Sequence, residues 1–318
     1  IRVSFRADRR GLVDQPGGTM PAMSGTYYRP TIRAIRNILA VDPSIRVFAS
    51  RDTVGDCDPD NKRAAADRPT DQGPGSCPDF HPWTKSGKRH RGQVIPERYG
   101  RLAAAYVDYM ASKGVPVDVL GLENEPHNNE GRMTPPRFLA AAREMRASVT
   151  TTMPRLMMNC ANVPDLRWLQ DAGPAVFRQL DYASAHSHPK RRLVERAVSG
   201  RFARLARKRG LVPINTEMHW DRTRRAFDGA AQSLRSVFDQ LDAGFRGFAA
   251  WAHTPVDRDG GRKKGKARIL HEVFDSTFGA RLVRTTDFDG ADTDDGRVTT
   301  RAFRRGRVVH LWVVNDRS

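Results

Sequence analysis

Asn124 and Glu125 close an apolar run, "VDVLGLE" (117–123), and Pro126 follows them. Glu217 closes a second such run, "VPINTE" (212–217). Two carboxyl groups brought to one place can break an acetal C–O bond such as a glycosidic bond. One, as the acid, protonates the leaving oxygen, and the other, as carboxylate, attacks the anomeric carbon or activates water. Their separation decides between attack and water activation, and spacing along the chain does not measure it. Glu123 crowds a third carboxylate beside Glu125 and is expected to be a supporting or solvent-facing residue. Only the carboxyl group that serves as the acid needs a raised pKa, which the other, ionised nearby, would supply.

Other side chains at run ends fit the same chemistry. His186 and His188 follow "YASAH" (182–186), and Trp251 and His253 lie at the end of "GFAAWA" (247–252) and just beyond it. A tryptophan offers a face to a sugar ring, and the Asn124 amide can hydrogen-bond a ring hydroxyl. Each has a plainer reading. Glu217 can be a helix-start carboxylate, Arg2 a structural ion-pair partner and Trp251 a core residue. His186 and His188, with His219 and His253, can be metal ligands of a metal-dependent barrel hydrolase.

These residues need a frame that gathers strand ends. Short apolar runs at 1–5, 45–49, 117–123, 155–159, 182–186, 212–217 and 247–252 alternate with helical patterns. In 97–114 the apolar residues Tyr99, Leu102, Ala103, Tyr106, Val107 and Met110 share one helix face, and Gly114 supplies a stop. Thr134, before two prolines, is a helix N-cap, and 225–244 repeats the one-faced pattern. Runs apolar at consecutive positions are expected of parallel strands covered on both sides. Seven of them alternating with helices predict an α/β fold, a (β/α)8 TIM barrel lacking its first strand, with catalytic residues at the C-terminal strand ends. A doubly wound open sheet is the alternative, but no Gly-rich phosphate loop follows the first strand. From residue 281 the pattern turns to short strands joined by Gly and Asp turns. The expected division is a catalytic barrel over 1–280 and part of a small β-sandwich over 281–318. Residues 50–94 exceed an ordinary barrel loop and read as a functional loop or a partly mobile insertion.

The 318 residues, 39% hydrophobic and 28% charged, allow one large domain with a small companion, and no run is apolar enough to span a membrane. The opening "IRVSF" reads as an internal strand and the ending as a strand-like run, so truncation at both ends is expected and no signal peptide is visible. The net charge of +18 invites polyanions. The arginines are scattered, however, and the denser clusters at 85–91 and 262–268 have no interleaved aromatics, so no nucleic-acid partner is expected. A non-catalytic, basic polysaccharide-binding barrel is the non-enzyme alternative. Of three cysteines, Cys57 and Cys77 bracket a Pro/Asp/Gly-rich segment. Their pairing would suit an oxidising compartment, hence extracellular or periplasmic residence. Cys160 reads as a small buried hydrophobe.

With Asn-Glu-Pro ending one strand and Glu ending the strand three further on, the chain resembles the retaining glycosidases of clan A. Within them it looks most like glycoside hydrolase family 30, the glucosylceramidase, β-1,6-glucanase and xylanase family. "IRVSF" resembles the Arg-bearing second strand of that family, and "HPWTKSG" (81–87) its Pro-Trp-Met-Lys segment. Residues 95–126 resemble its approach to the acid/base, "AHSHP" (185–189) its His-Trp-Tyr, and "AAWAHTPVDRDGG" (249–261) its eighth strand and Gly-Gly loop. The resemblance covers nearly the whole chain. It implies Glu125 as acid/base and Glu217 as nucleophile, and Arg2, Asn124, His186, Trp83 and Trp251 as pocket residues. It implies an oligo- or polysaccharide substrate, no metal or other cofactor, and a monomer. Departures fall on substrate-contacting loops: the Cys57–Cys77 segment is inserted, Arg51 and Asp52 stand where the family has Trp, and His127 and Asn128 follow the proline.

Overall fold

The structure, a computed structural model, describes residues 1–5, 12–13, 20–51, 84–85, 93–124, 133–158, 165–187, 192–218, 226–250, 272–273, 275–277, 279–283, 285 and 298–315. The strands are β1 (Arg2–Phe5), β2 (Leu12–Val13), β3 (Ala22–Met23), β4 (Phe48–Arg51), β5 (Thr84–Lys85), β6 (Gln93–Val94) and β7 (Val119–Gly121). They continue with β8 (Arg155–Met157), β9 (Tyr182–Ser187), β10 (Val212–Met218), β11 (Gly247–Ala250), β12 (Arg281–Val283), β13 (Val298–Arg305) and β14 (Val308–Asn315).

One sheet takes the order β1-β4-β7-β8-β9-β10-β11, which is chain order with the two small hairpins β2–β3 and β5–β6 set aside. The pairs from β1 to β9 are parallel, with Phe5 opposite Arg51, Ser50 opposite Gly121, Gly121 opposite Met157 and Met157 opposite Tyr182. Seven successive strands with helices between them, among the described residues, have the pattern of a (β/α)8 barrel. Burial at consecutive positions explains the parallel arrangement: Leu120, Gly121 and Leu122, Leu156 to Met158, and Ala183 to His186 are all buried. The second strand differs from expectation. It runs 48–51 rather than 45–49, because Arg46 and Val47 are engaged from the side by the Asp118 carboxylate at 2.9 and 2.8 Å.

The helix Pro96–Ser112 buries all six apolar residues of the predicted face. It ends where the Val115 N–H donates to the Met110 carbonyl and the Gly114 N–H to Ala111, with Gly114 at φ 72°. This left-handed closing residue is the reason for glycine there. The helix Gly25–Val41 begins at Ser24, whose Oγ accepts the Tyr27 N–H, and buries Tyr28, Ile32 and Ile35. Thr134 does precede the helix Pro135–Ser148, but its side chain makes no capping hydrogen bond. Pro136, at the second helical position, has no N–H and so removes one of the two donors that such a cap would use.

The chain divides into two compact units, 1–186 with 202–216, and 187–201 with 217–318. The second contains the antiparallel sheet β12-β13-β14. Its strands β13 and β14 turn through Gly306, at φ 60°, and Arg307, a two-residue hairpin loop with glycine first. Leu234, Val237 and Phe238 of the helix Ala226–Ala243 form a core with Val273, Phe303 and Val314. Two arginines fasten this packing. Arg235 Nε donates to Thr299 Oγ1 at 3.0 Å in the interior, and Arg301 forks onto the Asp242 carboxylate, with Nε 3.0 Å from Oδ1. No helix of the described residues is long and apolar enough to cross a membrane.

Candidate active site

The C-terminal strand ends carry polar side chains that the packing keeps from water. Arg51 ends β4, Glu123 and Asn124 follow β7, His186 lies near the end of β9, and Glu217 near the end of β10. None of the five is more than 4% exposed. Burying a charge is costly unless something compensates it, so each such group has a local cause to be found.

Glu123 shows its cause most fully. Its Oε2 accepts the Met133 backbone N–H at 3.0 Å, across ten residues of chain. Its Oε1 makes no hydrogen bond among the described residues. Burial pushes the carboxyl up to about 7, and attraction from Arg51, the Met133 N–H and attraction from Arg137 work in the opposite direction. Of the two alternatives expected of Glu123, supporting or solvent-facing, the second does not hold: Glu123 is interior. Arg51, on the adjacent strand, lies with its guanidinium carbon 5.3 Å from the centre of the Tyr99 ring. The Tyr99 hydroxyl donates to the Leu122 carbonyl at 2.5 Å. Burial, more than any other influence, raises the Tyr99 phenol above its ordinary range, so at neutral pH it stays a donor. At the other end of the intervening segment, Trp168 Nε1 donates to the Met133 carbonyl at 3.0 Å, and Phe138 packs edge-on against Trp168.

Asn124 and His186 thus sit at strand ends of the first unit, and Ser184 Oγ ties β9 to β8 through the Met158 carbonyl at 3.1 Å. Glu217 belongs to the second unit, at the strand end expected of it. Arg2 opens β1, its backbone opposite Phe48 at the start of β4. The Arg2 side chain lies outside the described residues, as do Glu125, Trp83, Trp251, His188, His219, His253 and the three cysteines. Among the described residues no three His, Cys, Asp or Glu side chains come together as a metal site would require.

Sequence reasoning missed Arg51, Tyr99 and Trp168 as supports of the strand end. Arg51 registered there only as a departure in a loop. The usable signal was a charged residue directly continuing "VFAS", one strand away from an equally unexplained Glu123.

No family model and no curated protein matches the chain. Solved structures do match its fold. The chain is similar to the glycoside hydrolase family 30 subfamily 8 xylanase from Clostridium acetobutylicum, with a TM-score of 0.63 and 13% identity over 99% of this chain and 73% of that one. A family 39 glycoside hydrolase from the gut symbiont Bacteroides cellulosilyticus gives 0.60 and 12% over 99% of this chain and 64% of that one. The catalytic domain of a family 30 xylanase C from Talaromyces cellulolyticus gives 0.55 and 13% over 98% and 73%. The chain therefore has the barrel fold that these glycoside hydrolases share.

Proposed function

We propose that the protein is a retaining glycoside hydrolase of the family 30 type. It would cleave β-glycosidic bonds in a glucan, xylan or related glycan, with Glu125 as acid/base and Glu217 as nucleophile. The observation that supports this most is that Glu217 is buried near the end of its strand β10, as Asn124 is just past the end of β7. The fold likeness to several glycoside hydrolases is consistent with it.

In the first step the Glu217 carboxylate attacks the anomeric carbon. The bond to the leaving oxygen breaks as Glu125 delivers its proton there, which leaves a glycosyl ester on Glu217. In the second step the Glu125 carboxylate takes a proton from water, the water oxygen attacks the same carbon, and the ester bond breaks to release the sugar and the Glu217 carboxylate. The Asn124 amide would donate to a sugar hydroxyl beside the reacting carbon. His186, Arg2, Trp83 and Trp251 would line the pocket, the tryptophans as ring platforms. No metal or cofactor takes part. An oligo- or polysaccharide substrate, a monomeric state, extracellular or periplasmic residence, a Cys57–Cys77 bond and the division into 1–280 and 281–318 belong to the same reading.

The test is hydrolysis of aryl β-glucosides and β-xylosides after dialysis against a chelator, with Glu125→Ala alongside. Hydrolysis should survive dialysis. Glu125→Ala should spare substrates with activated phenol leaving groups, which depart without protonation, and azide should restore its turnover by replacing the activated water. Loss of activity on dialysis, or a Glu125→Ala variant equally impaired on every leaving group and unmoved by azide, contradicts the reading.

A further inference from the structure

The described segments on either side of residues 125–132 are held by three hydrogen bonds from buried side chains. The Tyr99 hydroxyl fixes the Leu122 carbonyl, Trp168 Nε1 fixes the Met133 carbonyl, and Glu123 Oε2 takes the Met133 N–H. The first two come from the helices Pro96–Ser112 and Leu166–Asp171 and anchor each flank separately. Only the third links one flank to the other. Glu123 is also the residue directly before Asn124, so whatever moves its backbone moves the strand end. An apolar side chain would fill the same space, yet the chain buries a carboxyl group at a cost. The charged and titratable groups that act on it come from three elements. They are Arg51 of β4, Arg137 of the helix Pro135–Ser148 and Tyr99 of the helix Pro96–Ser112.

We infer that Glu123 is a positioning residue, its buried carboxyl group clasping Met133 to the end of β7 and so fixing the register from which Asn124 is presented. The inference rests on the glycosidase reading only for its consequence in turnover; the clasp itself is independent of it. A group that touches no substrate acts here through placement. A displacement of about 1 Å at a reacting group can cost up to about a hundredfold in rate. Glutamine keeps a carbonyl oxygen for the Met133 N–H, whereas alanine removes it.

The experiment pairs amide hydrogen exchange at Met133 with steady-state kinetics on an aryl β-glycoside, in the unmodified protein, Glu123→Ala and Glu123→Gln. Met133 should be protected in the first and the last, and should exchange at least tenfold faster in Glu123→Ala. The kcat should fall about tenfold to a hundredfold in Glu123→Ala, with KM within about threefold, and Glu123→Gln should recover most of the loss. Equal Met133 exchange in all three proteins overturns the clasp. A folded Glu123→Ala protein with fast Met133 exchange and unchanged kcat overturns the positioning role. An unmodified protein without glycosidase activity, but with Met133 exchange responding as stated, contradicts the proposed function and leaves the clasp supported. If Glu123→Ala does not fold, Trp168→Phe removes the donor on the other side of Met133. It should raise Met133 exchange and lower kcat in the same sense, and a folded Trp168→Phe protein with neither change overturns the proposal.

Discussion

Gly100 and Ala141 meet where the helices Pro96–Ser112 and Pro135–Ser148 pack, so closely that a Cβ on Gly100 would stand 2.4 Å from the Ala141 carbonyl oxygen and 2.8 Å from Glu144 Cβ. Glycine inside a helix costs roughly 1 kcal/mol relative to alanine. Here that cost permits backbone-to-backbone approach of the helices that follow β6 and β7, the second of which bears Arg137.

Gly100→Ala gains helix propensity but pushes a methyl group into a carbonyl that belongs to a rigid helix. The net result should be destabilisation of about 1–3 kcal/mol, the usual range for overpacking. The urea midpoint should drop without a change in slope. A midpoint equal to or above that of the unmodified protein contradicts the close approach.

The two N-caps should behave differently. Ser24→Ala removes the acceptor of the Tyr27 N–H and should cost about 1 kcal/mol. Thr134→Ala removes no hydrogen bond at its helix and should cost no more than a few tenths of a kcal/mol. Thermal unfolding of the two variants side by side checks this, and equal losses contradict it.

Much of this was legible beforehand because local physics dictated it. The face from Tyr99 to Met110 repeats every three or four residues and ends at a glycine free to adopt positive φ, so the helix followed from spacing alone. Asn124, His186 and Glu217 were legible as strand ends because each closes an apolar run. Glu123 was not, because a carboxylate beside Asn reads as the polar exit of a strand. What makes its interior position tolerable, Arg51 on the neighbouring strand and the Met133 N–H ten residues along the chain, comes together only in the fold. The Thr134 cap failed for a local reason: residue type and position were right, but Pro136 lacks the N–H that the cap would take. The hairpins β2–β3 and β5–β6 have two residues per strand, too few for any periodicity to reveal.

The Glu123 carboxyl gives stability a pH dependence of known sign. Its pKa rises from 4.5 to about 7 on folding, chiefly through burial. The folded state therefore binds more protons than the unfolded one between those values, so stability present below pH 4.5 is lost as pH rises to about 7, and the loss is constant above. The size is on the order of 3 kcal/mol. Glu123→Gln cannot ionise and should flatten that window in denaturant titrations at successive pH. An identical pH profile in the variant contradicts the assignment.

Glu217 is proposed to form a bond to the sugar. The most direct test incubates the protein with an activated 2-deoxy-2-fluoro β-glycoside, which slows the second step more than the first, and maps the product by peptide mass spectrometry. One added fluoroglycosyl group is expected, carried by the peptide at Glu217 and absent from Glu217→Ala. A label on any other carboxylate contradicts it, as does hydrolysis with inverted anomeric configuration and no label.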